Sequence, residues 1–77
     1  MYRYIINTNQ QDSKSGNNFE IHNLDNNCGH LPYIQNQKSL GRFSNCHEAL
    51  NYAKGKFPGS ARNIDGCYYC CNDCHRG

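Results

Sequence analysis

Seventy-seven residues make one small domain. Only 36% of them are apolar, Trp is absent and the mean hydropathy is strongly negative, so the core is thin and a metal, disulfides or a partner has to add stability. Eight Lys and Arg against six Asp and Glu leave a net charge of +2 with no basic run, which excludes the strongly basic face of a dedicated nucleic-acid binder. The longest apolar stretch is a few residues, so no membrane partner is expected. The opening Met1-Tyr2-Arg3-Tyr4-Ile5-Ile6-Asn7 lacks the apolar centre of a signal peptide, and the expected location is cytoplasmic, where thiols stay reduced.

In chain order, residues 2–7 are rich in aromatic and branched side chains and predict a strand. Residues 8–18 carry turn chemistry (Asp12, Ser13, Ser15, Gly16, Asn17) and predict a loop. Residues 19–22 alternate apolar with polar and predict a second strand, antiparallel to the first, so that residues 2–23 form a hairpin. Residues 24–38, with Cys28, Gly29, His30 and Pro32, read as an irregular polar connector. Residues 39–43 predict a brief third strand. A helix follows, with Ser44 as its N-cap and Glu48 near the positive end of its dipole. Cys46, Ala49, Leu50, Ala53 and Phe57 share one helical face, and Pro58-Gly59 ends the helix. Residues 60–66 read as a loop, and residues 67–75 are a cysteine cluster. The predicted class is α+β: a hairpin or three-stranded antiparallel sheet, one main helix and a cysteine-rich tail.

The tail, Cys67-Tyr68-Tyr69-Cys70-Cys71-Asn72-Asp73-Cys74-His75, contains two Cys-x-x-Cys units. Such a turn aims two sulfurs at one point and supplies half of a tetrahedral zinc site. The other half has to come from upstream, where His22 ends a strand and Cys28 follows in a short loop. The predicted ligands are His22, Cys28, Cys67 and Cys70, with Cys71, Cys74 and His75 open as alternatives for the fourth position or a second pair. The competing reading is a set of reduced, partly buried thiols, or disulfides in one of fifteen pairings.

The order His22…Cys28, then Leu40-Gly41-Arg42-Phe43-Ser44-Asn45-Cys46-His47-Glu48-Ala49-Leu50, then Cys67-Tyr68-Tyr69-Cys70, resembles the small zinc domain of the Ada DNA-repair protein and related His/Cys modules on bacterial nucleases. The segment from Asp65 to His75 also resembles the ending of a group of small bacterial proteins without an assigned activity. The resemblance implies zinc held by His22, Cys28, Cys67 and Cys70. Two departures separate this chain from methyl transfer and DNA contact. His22 stands where the family has its methyl-accepting cysteine, and Asn63-Ile64-Asp65-Gly66 replaces the Gly-Tyr-Arg-Pro lead-in.

Four donors close a zinc site, which is then structural. Catalysis has little support: no carboxylate pair, phosphate loop or nucleophile–base pair is evident, and no small-molecule substrate is indicated. The expected role is a structural-zinc binding module with protein or nucleic acid as partner, Arg42, Lys54, Lys56 and Arg62 being available for phosphates. The alternative is thiol redox or soft-metal handling by the spare Cys71 and Cys74. Cys71-Asn72-Asp73-Cys74-His75 also matches a c-type haem attachment sequence, against which the expected cytoplasmic location counts. Cys46 reads as a small hydrophobe, with pairing to Cys71 or Cys74 as the alternative, His30 and His47 as ordinary polar residues, Tyr2, Tyr4, Tyr33 and Tyr52 as the edge of the core, and Tyr68 and Tyr69 as packing groups, one of them free for a partner.

Overall fold

The computed structural model describes residues 1–8, 11–13, 16–26, 28–29 and 31–75. Strands β1 (Tyr2–Asn7), β2 (Gln11–Ser13), β3 (Gly16–Asn23), β4 (Gln37–Phe43) and β5 (Ile64–Gly66) form a sheet against which one main helix, α1 (Cys46–Lys56), packs. The class is α+β. The sheet runs β2-β3-β1-β4, with β5 added to β3.

β1 is central and antiparallel to both neighbours, which explains why its residues from Tyr4 onward are buried. Its β4 partner changes register between Tyr4 and Ile5, which face Gly41 and Ser39. Leu40 is the extra residue of this bulge and is buried, while Gly41 takes φ 106°, a conformation open to glycine at little cost. Beyond the predicted β1–β3 pairing, β2 and the start of β3 occupy the stretch read as a loop, with Ser13 opposite Gly16. Polar turn-forming residues disguised these strand ends.

Two further expectations are corrected. The N-cap of α1 is Asn45, not Ser44: the Asn45 side chain accepts from the Glu48 amide at 3.0 Å, and Glu48 Oε1 accepts from the Ser44 amide at 3.0 Å. This is a capping box displaced by one residue at its return bond. Residues 60–66 are not a loop. A 3₁₀ segment, Pro58–Asn63, leads into β5, which pairs parallel with β3 through Phe19↔Ile64 and Ile21↔Gly66. Ile21 thus faces Ile6 on one side and Gly66 on the other.

The buried face of α1 is Cys46, Ala49, Leu50 and Ala53, as its spacing predicts. Ala49 and Ala53 have no exposed surface, and their small side chains let the helix lie close to the sheet. The core cluster joins Tyr4, Ile6, Ile21, Leu40, Leu50 and Ile64 to Cys46, Cys67, Cys70, Cys71 and Cys74. Hydrophobic core and cysteine cluster are therefore one body. Of the tyrosines read as core edge, Tyr4 is buried, Tyr2 and Tyr52 are partly out, and Tyr33 is 77% exposed. Tyr33 precedes a short 3₁₀ turn, Ile34–Asn36, that carries no buried residue. Among the described residues no helix is long and apolar enough to cross a membrane.

Candidate metal centre

Three pieces of chain build the centre. His22 sits near the end of β3, opposite Ile5 of β1, and is wholly buried. The parallel register of β5 brings the tail to the same place: just past β5, the Cys67 amide donates to the Ile21 carbonyl at 3.0 Å. The Cys71 amide then donates to the Cys67 carbonyl at 2.8 Å and closes the knuckle. A short missed strand therefore sets where the Cys-x-x-Cys turn begins.

The third piece, carrying Cys28, is anchored by residues that the cysteine pattern does not reveal. Asn23 Oδ1 accepts from the Asp25 amide at 2.9 Å, and the Leu24 amide donates to the Arg3 carbonyl at 2.8 Å. Arg3 grips Asp25 through its backbone amide at 2.7 Å and its guanidinium at 2.7 Å. Asn26 Nδ2 donates to the Cys70 carbonyl at 3.2 Å, tying the connector to the knuckle. The signal was present as Asn23-Leu24-Asp25-Asn26, since Asn and Asp side chains readily cap their own turns. Arg3 as a partner was not legible.

The side-chain atoms of His22, Cys28, Cys67 and Cys70 lie within 4.8 Å of one another, a group that could hold a metal ion. Cys28 Sγ is 3.8 Å from both His22 Nδ1 and Cys67 Sγ, and Cys70 Sγ is 3.6 Å from Nδ1. Zinc bond lengths in a regular tetrahedron place two sulfurs about 3.8 Å apart and a sulfur and nitrogen about 3.6 Å apart. The spacings fit that geometry.

His22 Nδ1 faces the sulfurs of Cys28 and Cys70, while its buried Nε2 has no hydrogen-bond partner among the described residues. A cation at Nδ1 would give that nitrogen a strong partner and put the ring proton on Nε2, which ligating histidines normally donate to a carboxylate, carbonyl or water.

Hydrogen bonds among the thiols divide their protons unequally. Hydrogen bonds from Cys67 and Cys71 hold Cys70 well below the ordinary thiol range, while Cys67 is driven up by its bond to Cys70 and by burial. A bound metal would hold all three ligand cysteines as thiolates, since sulfur ligates in that form.

No family model, curated protein or solved structure matches the chain.

The alternatives for the fourth position lie outside the group. His75 turns away, its Nδ1 2.8 Å from the Gly66 carbonyl. Cys71 and Cys74 are buried, and Cys74 Sγ donates to the Cys71 carbonyl at 3.5 Å. Cys46 is buried on the helix face, as expected. Burial and Cys74 push Cys46 up to about 12, and Cys71 brings Cys74 down to about 7. Burial, and after it Cys71, Cys46 and Cys74, raise the Tyr4 phenol. Tyr68 and Tyr69 between the knuckle cysteines are both more than half exposed and meet edge to face at 5.3 Å. His47 is exposed, and His30 lies outside the described residues.

Proposed function

We propose that this domain is a structural-zinc binding module: His22 Nδ1 and the thiolates of Cys28, Cys67 and Cys70 hold one zinc ion, and the stapled surface serves as an interaction domain for protein or nucleic acid. The observation that carries the reading is the set of four donors within 4.8 Å of one another, three of them buried, with three of their separations at 3.6–3.8 Å. Four protein donors leave no position for water, so the ion's work is structural and no enzymatic role is assigned. The donor order is the one implied by the Ada-like resemblance, without its methyl-accepting cysteine. A reducing compartment such as the cytoplasm suits the reading, since the site needs its cysteines reduced.

The contact surface we assign to a partner is the exposed Tyr68–Tyr69 pair, which the zinc knuckle would present as a rigid aromatic ridge. Aromatic side chains carry large contact area at low entropic cost.

Native and denaturing intact-mass measurements on reduced protein, prepared without added metal, test the reading. The expected native mass exceeds the denatured one by about 63 Da, one zinc less two protons. A native mass equal to the bare reduced chain, with the fold retained, overturns it.

A further inference from the structure

The helix is too short to cover the sheet. The 11 residues of α1 make roughly 16 Å of helix, capped by Phe57, and the chain goes on as the 3₁₀ segment Pro58–Asn63. Between this exit and the sheet lies a cavity of about 220 Å³. Its apolar wall is Ile6 of β1, Phe19 of β3, Ile64 of β5 and Phe57. Ladder pairing fixes most of that wall, since Phe19 stands opposite Ile64, and Ile6 stands opposite Lys38 of β4. Ile6 and Ile64 are buried core residues, and Phe19 and Phe57 pack against the same core. The cavity is therefore preformed by the sheet rather than by a loop.

Lys38 is the one charged residue in the lining. Its ammonium stands 5.7 Å from the centre of the Phe57 ring, over one of the apolar walls. Among the described residues it makes no ion pair, and the lining holds no carboxylate. Thr8 and Ser60 add hydroxyl groups beside it. A lysine on an open surface would be a solvated charge, and an apolar cavity without one would favour any hydrocarbon. The two together favour a molecule with an apolar body and a single negative charge. Sites for drug-sized ligands measure about 300–1,000 Å³, so this one suits a smaller body, a short chain or a single ring.

We propose that this cavity is a binding site for a small organic monocarboxylate, its hydrocarbon part against Ile6, Phe19, Phe57 and Ile64 and its carboxylate on Lys38. None of the lining residues is a donor of the His22 centre, so the site is separate from the zinc reading.

The test is an NMR titration of the full reduced chain, as isolated, with hexanoate, hexan-1-ol and hexylamine, following the backbone amides. Hexanoate is expected to bind with a dissociation constant of about 1 mM or tighter, within the reach of so small a ligand. The amides of Ile6, Thr8, Phe57, Ser60 and Ile64 are expected to move together, and the alcohol and the amine to bind more weakly. Lys38→Gln, at an exposed position, keeps the stem beside Phe57 and removes the charge; it is expected to weaken hexanoate about threefold to fivefold, the scale of a solvent-exposed ion pair. Hexan-1-ol or hexylamine binding as tightly as hexanoate, hexanoate binding unchanged in Lys38→Gln, or shifts confined to other parts of the chain each overturns the proposal. A chain that carries no zinc as isolated and still binds hexanoate at these residues supports this site while the zinc reading falls.

Discussion

Cys70 and Cys71 are adjacent in the chain, yet only Cys70 joins the group of donors around His22. Spacing alone offers two overlapping Cys-x-x-Cys units and no means of choosing between them. The choice is made by what each sulfur meets. Asp25 is a second case in which the partner decides the role. Its hydrogen bonds to Arg3 hold the carboxyl below its ordinary 3.8. A depressed carboxyl contributes stability that is present above its unfolded value and is lost as pH falls through the folded one. The pair is solvent-accessible, so its contribution is small and screened by salt. The expected outcome of Arg3→Ala is a rise of the Asp25 titration towards 3.8, read from its carboxyl carbon by NMR, with the connector turn loosened. A midpoint unchanged by the substitution would show that Arg3 does not hold the turn.

At the scale of elements, β1 and the helix face were legible because periodicity and branched side chains state them directly. β5 was not. Ile64-Asp65-Gly66 is too short to show a period, and its pairing partner, Phe19–Ile21, lies more than forty residues upstream. Its last residue, Gly66, is also the point where strand and cysteine turn pack against each other. A Cβ there would stand 2.7 Å from the Cys71 carbonyl as well as 2.5 Å from Cys74 Sγ. Neither strand nor turn can move without breaking the β3–β5 ladder or the knuckle. Gly66→Ala is therefore expected to destabilise the fold by about 1–3 kcal/mol, the usual cost of overpacking. Gly59→Ala is the control, since nothing lies within 4 Å of its Cβ position. Urea unfolding of the two variants checks this, and equal midpoints would refute the packing argument.

For the whole molecule, five cysteines sit in the same core cluster as the branched residues. Losing a metal from the His22 centre would therefore disturb the core itself. A core of this size supplies roughly 3–5 kcal/mol, whereas structural zinc in finger peptides contributes about 10–16 kcal/mol at neutral pH. On the zinc reading, the metal outweighs the packing. A strong chelator is expected to abolish the cooperative thermal transition seen by circular dichroism, and added zinc to restore it. Acid is expected to do the same, because protons compete for the three thiolates. An unchanged transition in chelator would mean that packing alone holds the chain.

The amino-acid sequence by itself determined the α+β class, the face of the helix, the need for a staple and the residue types able to form one. Those properties are local: periodicity, composition and the fixed reach of a Cys-x-x-Cys turn. Only the tertiary structure decided that His22 and Cys28 face Cys67 and Cys70. These are distances between atoms far apart in the chain, set by a strand register and a turn that no local pattern encodes.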